Sequence, residues 1–170
     1  MKKSIIIIVI TLLSSLTLSA QNISGVDPNA VKTIEGTVNE VLKLISGEKG
    51  KVRNWQAYRE LFAPDAKLTA LNNDSTGKAK IKSWTVEQYI KGGEKYYKSR
   101  SFFEYELKKT INEYNGIAQV FQGYLTKRNG VEEKGINSFQ LYFDGERWWI
   151  TNVLWVGDDN GVDLPAEYDK

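Results

Sequence analysis

Two Asn-Gly pairs, Asn115-Gly116 and Asn129-Gly130, punctuate a stretch in which apolar and polar residues alternate from Phe102 onward. Asn-Gly suits a two-residue hairpin turn, whose central positions need positive φ, and period-two alternation marks a strand with one buried face. Asp144-Gly145 supplies a third candidate turn. Residues 102–155 therefore predict a four-stranded antiparallel meander, and the turns predict its register. The first sets Ile111 opposite Val120, Lys109 opposite Gln122, and Leu107 opposite Tyr124. The second sets Val120 opposite Phe139 and Gln122 opposite Asn137. The third sets Leu141 opposite Trp148, Phe139 opposite Ile150, and Asn137 opposite Asn152.

Neighbouring side chains in a strand point to opposite faces, so this register sorts the residues. One face carries Leu107, Ile111, Val120, Phe139, Trp148 and Ile150, a continuous apolar surface that helices must cover; Tyr105 and Leu154 share it. Glu104 and Glu106 fall on the other face. A polar row of Gln122, Asn137 and Asn152, with Lys109 at its end, interrupts the apolar face. Leaving such groups buried and unpaired costs about 1–3 kcal/mol each. They form either a self-satisfied network or the floor of a ligand pocket. Tyr58, Tyr105 and Tyr124 can donate hydrogen bonds into the same space, so the candidate ligand-binding set is Lys109, Gln122, Asn137, Asn152, Tyr105, Tyr124 and Tyr58. On the opposite face Phe121, Tyr142, Trp149, Val153 and Trp155 make an aromatic patch. Contiguous apolar surface of this kind points to a partner: a second copy of the chain, forming a homodimer, the C-terminal segment "DLPAEYDK", or a sugar or other binding partner.

The first half of the chain has helical period. Asp27 and Pro28 signal a helix start, and Val31, Ile34, Val38, Val41, Leu42 and Ile45 follow at helical spacing up to Gly47. A second, short helix is expected over 54–62. The turn "APD" and a short strand "AKLTAL" come next, and 72–83 reads as a polar loop. Thr85 and Gln88 make a capping-box pattern for a third helix, which Gly92-Gly93 weakens. The expected fold class is α+β, with helices on one face of the sheet.

The chain opens "MKKSIIIIVITLLSSLTLSAQ": two lysines, a short apolar run and a small-residue stretch, in the order of a signal peptide. The apolar run is too short to span a bilayer, which takes about 20 residues. The expectation is export to the periplasm or beyond, cleavage near Ala20, a single domain over 21–170, and no stable membrane anchor. The formal charge of +2 lies within residues 1–20, which hold two lysines and no acid, so the rest is neutral. A neutral domain gives no footing for nucleic acid. The sequence has no His and no Cys. That excludes Ser-His-Asp and Cys-His nucleophile systems and His- or Cys-ligated zinc, and no cofactor is expected. Acid–base chemistry would fall to Asp, Glu, Lys or Tyr.

Three segments, "WQAYRELFAPDAKLTAL", "FFEYELKKTINEYNGIAQVFQGY" and "GINSFQLYFDGERWWITNVLW", resemble in order the nuclear transport factor 2-like superfamily, in its polyketide-cyclase-like branch. They look most like exported members from Bacteroidetes-type bacteria. The resemblance implies a cone-shaped, strongly curved antiparallel sheet wrapped around three N-terminal helices, with a pocket between them and dimers that meet through the convex face. Family members include isomerases, dehydratases, cyclases and hydrolases. Ketosteroid-isomerase-like members use a carboxylate base with a Tyr/Asp oxyanion pair, and dehydratase-like members use His with Asp. Here the expected concave face carries no Asp or Glu in its centre, and Asp65 fits a turn. No catalytic residue is carried over. A ligand-binding domain is expected, with a structural dimer module or a carboxylate- or Tyr-based enzyme as alternatives.

Overall fold

The computed structural model describes residues 25–74, 76–158 and 161–169; the expected signal peptide lies outside the described residues. A 3-10 turn (Ala30–Lys32) precedes α1 (Ile34–Ile45) and α2 (Trp55–Arg59), then β1 (Phe62–Asn73), β2 (Ala79–Thr85) and α3 (Val86–Ser99). The meander follows as β3 (Phe103–Tyr114), β4 (Ile117–Arg128), β5 (Val131–Phe143) and β6 (Trp148–Gly157). One curved sheet runs β2-β1-β6-β5-β4-β3. All its pairings are antiparallel except β1 with β6. The helices fill the concave side, giving the expected α+β class.

α1 buries the stripe Ile34, Val38, Val41, Leu42 and Ile45, but it starts later than Asp27-Pro28 suggests. Thr33 is the cap, its hydroxyl accepting from Gly36 N, while Asp27 accepts from Asn29 N inside the preceding turn. Gly36 permits this: a Cβ there would stand 2.2 Å from Ala30 O. At the other end the buried Arg53 guanidinium donates to the carbonyl of Ile45, one of the helix's orphan acceptors, and to those of Gly47, Glu48 and Lys51 in the loop that follows.

α3 begins with the expected capping box, reciprocal between Thr85 and Gln88. It continues through both glycines. A Cβ on Gly93 would lie 2.9 Å from Trp55 Cη2, so Gly93 is where α3 approaches α2. Much of the expected 72–83 loop is instead β2, an edge strand whose residues 79–83 are all exposed. With neither face buried it has no apolar period, and its lysines keep an open edge soluble. β1 is also longer than expected. "APD" lies within it, at the register shift between Phe62 and Lys67.

The Asn-Gly turns form as expected, with positive φ at Asn115, Gly116, Asn129 and Gly130. Ile111 faces Val120, Lys109 faces Gln122, Val120 faces Phe139, and Gln122 faces Asn137. The third turn is longer. Asp144 accepts from Glu146 N and Arg147 N, so Trp148 faces Phe143 rather than Leu141. The shift is even, and faces are kept. Trp148 and Ile150 are core, with 7% and 0% exposure. Trp149 looks outward, donating Nε1–H to Asp144 Oδ2 at 2.6 Å under the Arg147 guanidinium.

Two one-residue bulges then change the faces. On β3, Glu106 faces Tyr124 and Lys108 faces Gly123, leaving Leu107 as the extra residue. On β6, Ile150 faces Leu141 and Asn152 faces Gln140, leaving Thr151 extra. A bulge flips every side chain beyond it. Glu104 and Glu106 therefore turn inward and Tyr105 outward. Val153 and Trp155 turn inward, and Asn152 and Leu154 outward. This removes Val153 and Trp155 from the expected convex patch. On that face Tyr168 is buried edge-on against Phe121, ring centroids 5.3 Å apart, and its hydroxyl donates to Thr110 Oγ1. A Cβ on Gly123 would meet Tyr168 O at 2.4 Å.

Candidate functional site

Between the concave sheet and the helices lies a cavity of about 570 Å³. Its sheet wall is apolar on β1 and β6 (Leu68, Ala70, Val153, Trp155) and polar on β3–β5 (Glu104, Thr126, Asn137). Tyr58 from α2 and Tyr89 and Tyr97 from α3 line the helix side. The three rings are fixed by packing. Tyr58 stacks on Tyr89 at 5.7 Å, and Tyr97 stacks on Trp55 at 5.8 Å.

Glu104 reaches the cavity because of the Leu107 bulge. Its backbone N–H donates to Ser46 Oγ, tying the strand to the end of α1. Asn137 Nδ2 donates to Glu104 Oε1 at 2.7 Å and to Gln122 Oε1 at 3.2 Å. Gln122 Nε2 donates to Glu106 Oε2 at 2.6 Å, and Lys109 Nζ donates to Glu106 Oε1 at 2.6 Å. One connected ladder thus runs Lys109–Glu106–Gln122–Asn137–Glu104. Among the described residues no protein group bonds Glu104 Oε2. Burial pushes the Glu104 carboxyl up to about 7, and the Asn137 hydrogen bond partly offsets it. Burial also raises the three tyrosines, Tyr58 and Tyr97 well above their ordinary value and Tyr89 to about 12, so they remain neutral donors. A carboxyl that titrates near neutrality beside neutral hydroxyls can hold a cation, accept a hydrogen bond or exchange a proton.

At the β2 side, Trp84 stacks on Trp155 with centroids 5.8 Å apart and planes at 10°. Tyr89 meets Trp155 edge-on, and exposed Lys82 places its ammonium over Trp84. On β4 and β5, Arg128 pairs with Glu133, and Thr126 Oγ1 donates to the Glu133 carbonyl.

The structure brings Tyr58, Tyr124 and Asn137 to the cavity as expected. Tyr124 is buried, and its hydroxyl donates to Val156 O at 3.3 Å. The other four sequence candidates are corrected. Asn152 is turned outward by the Thr151 bulge. Tyr105 is turned outward by the Leu107 bulge and is 46% exposed, stacked on Phe103. Lys109 is held by Glu106. Gln122 is fully buried inside the ladder and does not reach the cavity. The expectation that no carboxylate faces the concave side fails at Glu104 and Glu106. The available signal was Gly123 in the middle of a strand, since such a glycine marks a bulge or a close backbone approach. It faces Lys108, the first residue past the bulge, and lies against Tyr168.

No protein-family model and no curated protein matches the sequence. Solved structures do. An NTF2-like protein with a cystatin-like fold from Novosphingobium aromaticivorans aligns at a TM-score of 0.55 and 11% identity, over 78% of this chain and 81% of that one. The fold is NTF2-like. An NTF2-like protein from Pseudomonas aeruginosa aligns at 0.54 and 10% identity, over 73% and 94% of the two chains. Bd1075 from Bdellovibrio bacteriovorus aligns at 0.53 and 9% identity, over 69% of this chain but only 38% of its own length. In this NTF2-like fold the cavity lies between the concave sheet and the helices.

Proposed function

We propose that this chain is an exported small-molecule-binding domain whose ligand lies in the cavity. The ligand's apolar body would lie along Leu68, Ala70 and Trp155, and its polar group would meet Glu104, Asn137 and the tyrosine hydroxyls. The observation that carries this reading is the Glu104 carboxyl, anchored by Asn137 through one oxygen and open to an aromatic cavity through the other. Pockets of this size, mostly apolar with a few convergent polar groups, are the usual form of ligand sites. The bulge that aims Glu104 inward supports it, because bulges re-aim side chains next to sites.

One observation favours a second reading, acid–base catalysis of isomerase or lyase type. A carboxyl near pH 7 is matched to proton transfer at neutral pH. The convex face, with Phe121, Tyr142, Trp149 and the exposed Leu154, is proposed as the homodimer surface, narrowed by the Tyr168 contact.

The test is native mass spectrometry of the protein purified from its own host, alongside Ala70→Phe, which fills the cavity from β1. The reading expects a co-purified small molecule that Ala70→Phe excludes while remaining folded. A ligand retained by the filled variant would place binding elsewhere.

A further inference from the structure

We propose that the ligand is a protonated amine on an apolar, ring-bearing body, with its ammonium docked on Glu104. This rests on the ligand-binding reading above and adds the ligand's charge. Three carboxylates share the concave face at this end of the sheet. Glu106 has Lys109 2.6 Å away, and Glu133 has Arg128. Glu104 has a neutral amide, Asn137, and no cation among the described residues. A carboxylate removed from water without a countercharge is strongly penalised. A ligand that brings N–H⁺ to Oε2 removes that penalty and completes a charge-assisted hydrogen bond. Tyr58, Tyr89 and Trp155 line the same cavity as Glu104, with two tyrosine hydroxyls among them, and aromatic rings attract cations. An anionic ligand would instead meet Glu104 as a like charge.

The groups that face Glu104 leave this assignment intact. Tyr58 on α2 and Tyr89 and Tyr97 on α3 stay neutral. Arg53, over Tyr97, is occupied by four backbone carbonyls. On the sheet, Glu106 and Lys109 neutralise each other, as do Arg128 and Glu133. Lys82 is exposed over Trp84. Because Glu104 must be ionised to receive the ammonium, affinity is expected to fall as pH drops below about 7. Well below that point the fall approaches about tenfold per pH unit. A simple amine, with a pKa near 10 like lysine's, stays charged throughout.

Isothermal calorimetry with three probes of one shape tests this: 2-phenylethylamine, 2-phenylethanol and 3-phenylpropanoate, at pH 5.5 and pH 8. The amine should bind at least about tenfold tighter than the alcohol at pH 8, and the margin should shrink at pH 5.5. It should vanish in Glu104→Gln, with alcohol binding retained. Glu104→Asp, which keeps the charge but retreats by one methylene, should keep a weakened amine preference. Alcohol or acid bound as well as the amine by the wild-type protein overturns the amine assignment and leaves cavity binding standing. A cavity that takes none of the three probes counts against both.

Discussion

Asn137 on β5 donates to Glu104 on β3 across the intervening strand β4, at 2.7 Å. The contact spans two strand spacings because Gln122 on β4 takes a second Asn137 hydrogen bond and itself leans on Glu106. The geometry holds the Glu104 carboxyl in one orientation while burial disfavours its charge. The raised carboxyl and the fixed amide are two sides of one arrangement.

The first consequence concerns stability against pH. Glu104 titrates near 7 in the folded chain and near 4.5 when unfolded. Between those values the folded state holds the extra proton, so stability falls as pH rises through this window and is flat above it. Glu104→Gln removes the titrating group but keeps an acceptor for Asn137. Denaturant unfolding at pH 5 and pH 8 should show the variant close to wild type at pH 5. At pH 8 it should be more stable, by about 1–3 kcal/mol. Equal stability at both pH values would mean that Glu104 titrates normally.

Gly93 marks the approach of α3 to α2. Gly93→Ala brings a Cβ against Trp55 Cη2 and should destabilise by about 1–3 kcal/mol through overpacking. This occurs even though alanine favours helix by about 1 kcal/mol over glycine. Gly92→Ala, where a Cβ meets nothing within 4 Å, should stabilise. Melting temperatures of the pair decide it, and a gain in both would remove the close contact.

On the convex face, Gly123→Ala places a Cβ against Tyr168 O, a backbone atom. The C-terminal segment should lift from Phe121 and Thr110. Limited proteolysis should then cut near residues 164–169 faster than in wild type, as should Tyr168→Ala. Unchanged protection in both variants would show that Tyr168 does not hold the segment there.

The hairpin scaffold was legible because turns fix register locally: the Asn-Gly pairs put Val120 and Phe139 in the core with Ile111 packed against it, and the third turn, though longer than expected, kept Trp148 and Ile150 inward. The site was half legible. Asn137 faces Gln122 across the hairpin closed by Asn129-Gly130, where register is secure. Glu104, Trp155 and Asn152 lie beyond bulges, and one extra residue exchanges inward for outward without changing composition. Leu107 and Thr151 are ordinary strand residues, so nothing in their chemistry announces the flip. β2 escaped notice for a related reason, since an exposed edge strand has no buried face to imprint a period.

The decisive quantity is the titration of the Glu104 carboxyl, followed by ¹³C NMR of the side-chain carboxyl carbons in the glutamate-labelled protein. The wild-type spectrum should contain one glutamate titrating near pH 7, absent from Glu104→Gln. If every glutamate titrates in the ordinary range of about 4–5, Glu104 is not a half-buried carboxyl held without a countercharge, and the binding and amine proposals lose their footing.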